Sequence, residues 1–202
     1  MKNLATLIAA VVAGLVLAPQ AVSAGPHPAF MTETGPTSPP IGHYEFCERE
    51  PASCAAHTAN AASLTLTRER WHMLLKVNHA VNTEIMPETD EAAYGMEEYW
   101  TYPDHGVGDC EDYALLKRKR LKAEGFPASV LLLTVVRRPN GEGHAVLTVH
   151  TDRGDFVLDN MHDRVLLWSE TDYTYLKRQS SLDAKRWEKI SNGRPALVGS
   201  VR

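Results

Sequence analysis

Of the three cysteines in this 202-residue chain, Cys110 stands where chemistry is easiest to arrange. Gly106 and Gly108 allow a tight turn, Asp109 can cap, and a helix follows through Glu124 until Gly125 and Pro127 stop it. A sulfur at a helix N-terminus meets unpaired backbone N–H groups and the positive end of the dipole, which favour the thiolate and so a nucleophile. An unpaired cysteine is commonly just a small buried hydrophobe. Here, however, its neighbours are Asp109, Glu111 and Asp112, a poor fit to simple core packing. Those carboxylates raise a thiol pKa unless they point away or bind a cation, so an activating base is required.

Among nine histidines, His144 is placed to be that base: it opens a strand directly after a glycine-rich turn. Asp159 follows fifteen residues later, near the end of the next strand. A nucleophile from a helix N-terminus, with a base and an orienting carboxylate from two adjacent strands, is the thiol form of triad logic. Register tests this grouping. A two-residue Arg153-Gly154 loop would set Asp159 opposite Thr148, roughly 13 Å along the strand from His144. Direct opposition of His144 and Asp159 requires a turn centred between Thr151 and Asp152, or a bulge, so a shifted or irregular turn is expected.

The elements that must carry these residues read as follows. Lys2, the apolar run Leu4 to Ala18 and Val22-Ser23-Ala24 form a signal peptide over residues 1–24. The fifteen-residue apolar run is too short to span a bilayer, which takes roughly 20, so no stable membrane span is expected after cleavage. Residues 25–42, with Pro26, Pro28, Pro36, Pro39 and Pro40, read as an extended leader with little to bury. The folded domain is expected over 43–202. In an exported chain Cys47 and Cys54, seven apart, are read as a local disulfide, with a metal pair as the weaker alternative. Thr67 caps a helix running to about Ile85, with Asn78 and Asn82 inside its apolar sector. They either tie down the stretch from Met86 to Gly108 or stand beside a site. The run Lys117-Arg118-Lys119-Arg120 reads as a solvated face that favours the dipole. Strands over Ala128–Arg138, His144–Thr151 and Phe156–Asn160 complete a single α+β domain. A net charge of −4 argues against nucleic acid as a partner.

Tyr99-Trp100, Gly108-Asp109-Cys110-Glu111-Asp112-Tyr113-Ala114, Gly143-His144-Ala145-Val146-Leu147 and Val157-Leu158-Asp159-Asn160 occur in that order. Together they resemble the bacterial transglutaminase-like cysteine proteinases over about residues 44–176. The resemblance implies a papain-like or transglutaminase-like fold, with Cys110 as nucleophile, His144 as general base and acid, and Asp159 orienting the imidazole. It also implies calcium near the nucleophile, with Asp109 and Glu111 matching the family's flanking carboxylates, although helix capping explains the same residues without a metal. By the same likeness the protein is a periplasmic endopeptidase acting on a protein or peptide. The family precedent is a bacterial adhesin whose cleavage releases cells from a biofilm, with an inner-membrane cyclic di-GMP receptor sequestering the protease. Two other readings remain open: a transglutaminase or protein glutamine deamidase with the same triad, and a non-catalytic calcium-dependent binding module.

Overall fold

The helix that carries Cys110 forms for reasons already visible in its flanks. α4 spans Cys110–Ala123, and Gly125, at φ +84°, closes it. The N–H groups of Gly125 and Phe126 bond back to the carbonyls of Lys122 (3.1 Å) and Leu121 (3.0 Å), a glycine-dependent C-terminal cap. The computed structural model describes residues 28–56 and 63–192. The signal peptide expected at 1–24 lies outside these, and no helix among the described residues is long and apolar enough to cross a membrane.

The chain order is β1 (Thr32–Thr37), α1 (Ile41–Arg49), α2 (Arg68–Glu84), β2 (Met86–Pro87), α3 (Asp90–Tyr94) and β3 (Val107–Gly108). After α4 come β4 (Leu131–Arg137), β5 (Gly143–Thr151), β6 (Gly154–Leu158), β7 (Leu166–Leu167), β8 (Thr174–Gln179) and β9 (Trp187–Ser191). The main sheet has seven strands in the order β1-β9-β8-β4-β5-β6-β7, all neighbours antiparallel. Its strands alternate as a two-faced sheet must. Leu131, Leu133, Leu147, Val149 and Leu158 face a core shared with Leu74, Val81, Leu115 and Leu121 of α2 and α4. Val136, Val146 and Val157 turn the other way onto Trp168, Tyr175, Ile190 and Met31. This is the expected α+β architecture.

Three expectations need correction. The folded part begins well before residue 43: residues 32–37, inside the stretch read as a leader, form edge strand β1 against β9, and Met31 is buried. Polar Thr-Glu-Thr-Gly-Pro-Thr carries little apolar signal, but an edge strand tolerates glycine and proline because one side of its backbone needs no partner. The basic run is not uniformly solvated either. Lys117 and Arg118 are buried, and Arg118 donates from Nε to the Leu131 carbonyl and from NH1 to the Ser53 carbonyl, both at 3.0 Å. Two backbone carbonyls take up the guanidinium, which the charge pattern alone does not disclose. Finally, β7, β8 and β9, with β1, extend the sheet beyond the three strands anticipated.

Candidate active site

Cys110 lies at the first turn of α4, half-buried, at the edge where α4 meets β5. Its Sγ accepts the N–H of Ala145 at 3.3 Å, so the thiol rests against the residue after His144. Cys47 and Cys54 are joined in a disulfide, which leaves Cys110 as the free thiol.

The imidazole of His144 and the carboxylate of Asp159 meet at 2.8 Å between Nε2 and Oδ1, both side chains buried. They do so with the turn shifted by one residue from Arg153-Gly154, half of the shift that direct opposition demanded. The β5–β6 register pairs Thr151 with Gly154 and Leu147 with Leu158, leaving Asp152-Arg153 as a two-residue loop in a regular ladder. Continued one pair further, that register sets Asp159 opposite Val146, so His144 is its diagonal neighbour on the same face. Diagonal positions across a sheet lie roughly 7–8 Å apart at Cα, within reach of an imidazole and a carboxylate. Asp159 is also held elsewhere: the Met161 N–H donates to Oδ1 (3.0 Å) and the Tyr173 hydroxyl donates to Oδ2 (2.5 Å). Burial works to raise its pKa, but the hydrogen bond and charge of His144, with the Tyr173 and Met161 donors, hold it below the ordinary carboxylate range.

The two amides of α2 serve this region and not the stretch from Met86 to Gly108. Asn82 Nδ2 donates to the Asp159 carbonyl and to Asp163 Oδ1, both at 2.9 Å. Asn78 Nδ2 donates to the carbonyls of His162 (3.1 Å) and Asp163 (3.2 Å). They therefore fasten the 159–163 loop to the helical layer.

On the other side of Cys110 the structure gathers carboxylates. Residues 77–116 contain ten Asp and Glu and no Lys or Arg. Asp109 occupies the N-cap position of α4 yet makes no side-chain capping bond, contrary to the expected role. One ligand oxygen each from Asp90, Asp109 and Asp112 lies within 4.8 Å of the others. Among the described residues, Asp90 Oδ1, Asp109 Oδ1 and Asp112 Oδ2 are buried without a hydrogen-bond partner, while Asp90 Oδ2 accepts from the Tyr99 N–H and Asp112 Oδ1 from the Thr101 N–H. Gly108 is required here, because a Cβ would come within 2.7 Å of Asp112 Oδ2. Burial raises all four acids, with Asp109 pushed to about 6, Asp112 to about 8 and Glu111 to about 9. Glu111 instead reaches back to Cys110, accepting from its Sγ at 3.0 Å. Burial and the Glu111 charge together push the thiol well above its ordinary pKa.

The structure brings His144 and Asp159 together and sets Glu111 against Cys110, and it adds Asp90 beside Asp109 and Tyr173 beside Asp159, neither of which the sequence reading singled out, because only the tertiary fold brings them in. The profile of the family described as bacterial transglutaminase-like cysteine proteinase matches residues 33–195. The chain belongs to that family. No curated protein matches it. Among solved structures, Legionella pneumophila LapG is similar at 29% identity, covering 54% of this chain and 64% of that one, with a TM-score of 0.47. Calcium-bound L. pneumophila LapG is similar at 27% identity, covering 63% and 73% respectively, with a TM-score of 0.49. In the first of these the match spans less than two thirds of the LapG chain.

Proposed function

We propose that this protein is an exported thiol endopeptidase in which Cys110 is the nucleophile, His144 the general base and acid, and Asp159 the residue that orients the imidazole. The observation that carries this reading is the buried 2.8 Å His144–Asp159 pair, with Cys110 Sγ bonded to the very next backbone N–H. Since Nε2 is engaged by Asp159, Nδ1 is the nitrogen free to take the thiol proton. The thiolate adds to the peptide carbonyl, forming a C–S bond. Collapse breaks the C–N bond, and the imidazolium returns its proton to the departing amine. Water, deprotonated by the same imidazole, then hydrolyses the thioester and restores the thiol.

Calcium fits the acidic cluster, because carboxylate oxygens of Asp90, Asp109 and Asp112 converge there, each of these side chains keeps one buried oxygen unpartnered among the described residues, and a hard cation takes several oxygen ligands. Asp90, Asp109 and Asp112 would hold it, with Glu111 beside them. Bound there, the ion would neutralise the charge that raises the Cys110 thiol. Without it, Glu111 holds the thiol proton and Asp90 and Asp112 fix the loop through Tyr99 and Thr101. The family resemblance supports a periplasmic protein substrate of the adhesin class and a sequestering cyclic di-GMP receptor. The disulfide agrees with an oxidising compartment.

The test is labelling with a thiol-directed electrophile, with and without chelator, and location of the adduct by mass. Cys110 is expected to react faster than a free thiol in calcium, and to lose that rate by about 10³-fold in His144→Ala. Labelling no faster than a free cysteine under both conditions would sink the reading. With substrate, two fragments indicate peptide cleavage, whereas a shift of about one dalton on one chain indicates deamidation.

A further inference from the structure

The geometry points to Tyr173 as a positioning residue for the His144–Asp159 pair, an inference that rests on the catalytic reading above. A carboxylate that orients an imidazole must present one oxygen and keep from rotating about its own bond. Asp159 Oδ1 is occupied by His144 Nε2 and the Met161 N–H. Oδ2 has one partner among the described residues, the Tyr173 hydroxyl at 2.5 Å. That single donor on the far oxygen fixes the plane of the carboxylate, so that the other oxygen stays on Nε2. Charge-assisted O–H···O⁻ bonds of this length are the strong ones.

Tyr173 also touches the imidazole. Its ring lies edge-on to His144, with centroids 5.6 Å apart and planes at 64°. One side chain thus limits both members of the pair: the hydroxyl stops the carboxylate and the ring edge stops the imidazole. The residue is itself held from outside the catalytic strands. It immediately precedes β8, and beside it the Thr171 hydroxyl bonds to the Trp168 carbonyl (2.8 Å) and the Tyr175 hydroxyl (2.9 Å). Tyr175 N–H in turn donates to Asn192 Oδ1 (2.6 Å). The remaining surface of Tyr173 lines a cavity of about 310 Å³ with Arg138, Met161 and His162, so the clamp stands at the wall of an open groove. Loss of the hydroxyl therefore frees the carboxylate to turn and the imidazole to adopt the wrong tautomer, while the packing of the ring is kept.

Tyr173→Phe tests this, since it removes one oxygen and nothing else. The Cys110 labelling rate and kcat are expected to fall by about 10–100-fold with KM little changed, the range seen when an outer partner of a functional histidine is removed. Nitrogen-15 shifts of the His144 ring are expected to show the Nε2–H tautomer in the parent and a mixture in Tyr173→Phe. The tautomer can be read in a Cys110→Ala background as well, so this inference is tested even if the protein proves not to be a protease. In an Asp159→Asn background the same change should be silent, because its only route is through that carboxylate. A parent-like rate and tautomer in Tyr173→Phe, or an equal loss with and without Asp159, would overturn the assignment.

Discussion

Two groups of buried carboxylates in this molecule solve the same problem in opposite ways. Asp155, at the start of β6, is fully buried and fully partnered. Oδ1 meets His150 Nδ1 at 2.7 Å, while Oδ2 accepts the Met31 N–H at 2.7 Å and lies 3.1 Å from the Arg178 guanidinium. Burial pulls its pKa upward, but His150, Arg178 and Met31 outweigh it and hold the group below the ordinary range. Asp90, Asp109 and Asp112 are placed with comparable care, yet each leaves one buried oxygen without a partner. There burial and mutual repulsion win, and the acids are raised. A closed carboxylate site of the first kind anchors structure. An open one of the second kind keeps acceptor oxygens to spare, and under the calcium reading proposed above it is where the cation would bind.

The strongest way to test the contrast is to remove the closed site. Asp155→Ala leaves Arg178 buried without its carboxylate and frees the Met31 N–H, and should cost about 3–5 kcal/mol in urea unfolding. The β1 amides should lose hydrogen-exchange protection with it, because Met31 leads directly into that strand. A loss below about 1 kcal/mol would mean that the anchor is ornamental.

The pH dependence should separate the two sites next, because their shifts have opposite signs. A lowered carboxyl such as Asp155 stabilises the fold above its unfolded value of 3.8, and that contribution is lost as pH falls through its folded pKa. A raised carboxyl does the reverse: its contribution is present below 3.8 and is lost as pH rises through about 6 for Asp109 and about 8 for Asp112. In chelator, thermal stability should peak in mild acid and fall by on the order of 2 kcal/mol toward pH 8, one proton unit being about 1.4 kcal/mol. Calcium should flatten the alkaline arm alone. An alkaline arm that ignores calcium would break the comparison.

A smaller effect of inverted sign is expected at Asp112. Asp112→Asn keeps an oxygen for the Thr101 N–H and removes the buried charge that Asp112 carries above about pH 8, so at pH ~9 the chelated protein should gain about 1–2 kcal/mol. The same variant should lose most of the calcium-induced rise in Tm. Differential scanning calorimetry with and without calcium reads both.

What the sequence disclosed about these sites follows from distance along the chain. The turn, cap and stop around α4 are local, and so were legible; so was the Cys47–Cys54 loop, whose Cα atoms lie 5.5 Å apart. His144 and Asp159 were found through a short hairpin, although the demand for direct opposition was too strict, because a diagonal pair reaches as well. Asp90 joins Asp109 and Asp112 only through the folding of the 86–108 segment, and Tyr173 reaches Asp159 from the loop before β8. Neither proximity leaves a periodic trace. Lys117 was misjudged because one turn of helix near its middle can bury a cation that composition assigns to solvent. Its ammonium lies 5.8 Å from the Tyr113 ring without a hydrogen-bond partner, and burial draws its pKa down to about 7.

The smallest effect bears on how far the closed site extends. Arg178 continues from Asp155 to Glu33 of β1 at 2.8 Å, so the anchor could be a chain of charges reaching into the edge strand. The two ends are not equivalent. The Arg178 side chain is 6% exposed and that of Glu33 is 40% exposed, so water screens the outer pair and competes for the carboxylate. Glu33→Gln also keeps an oxygen that accepts the same guanidinium hydrogen bond. Its cost should therefore be about 0.2–1 kcal/mol in the same urea experiment, several-fold below that of Asp155→Ala. Equal costs would mean that β1 is held by the whole charge chain. The expected inequality places the anchor where solvent is absent, in the contact of Asp155 with Met31, His150 and Arg178.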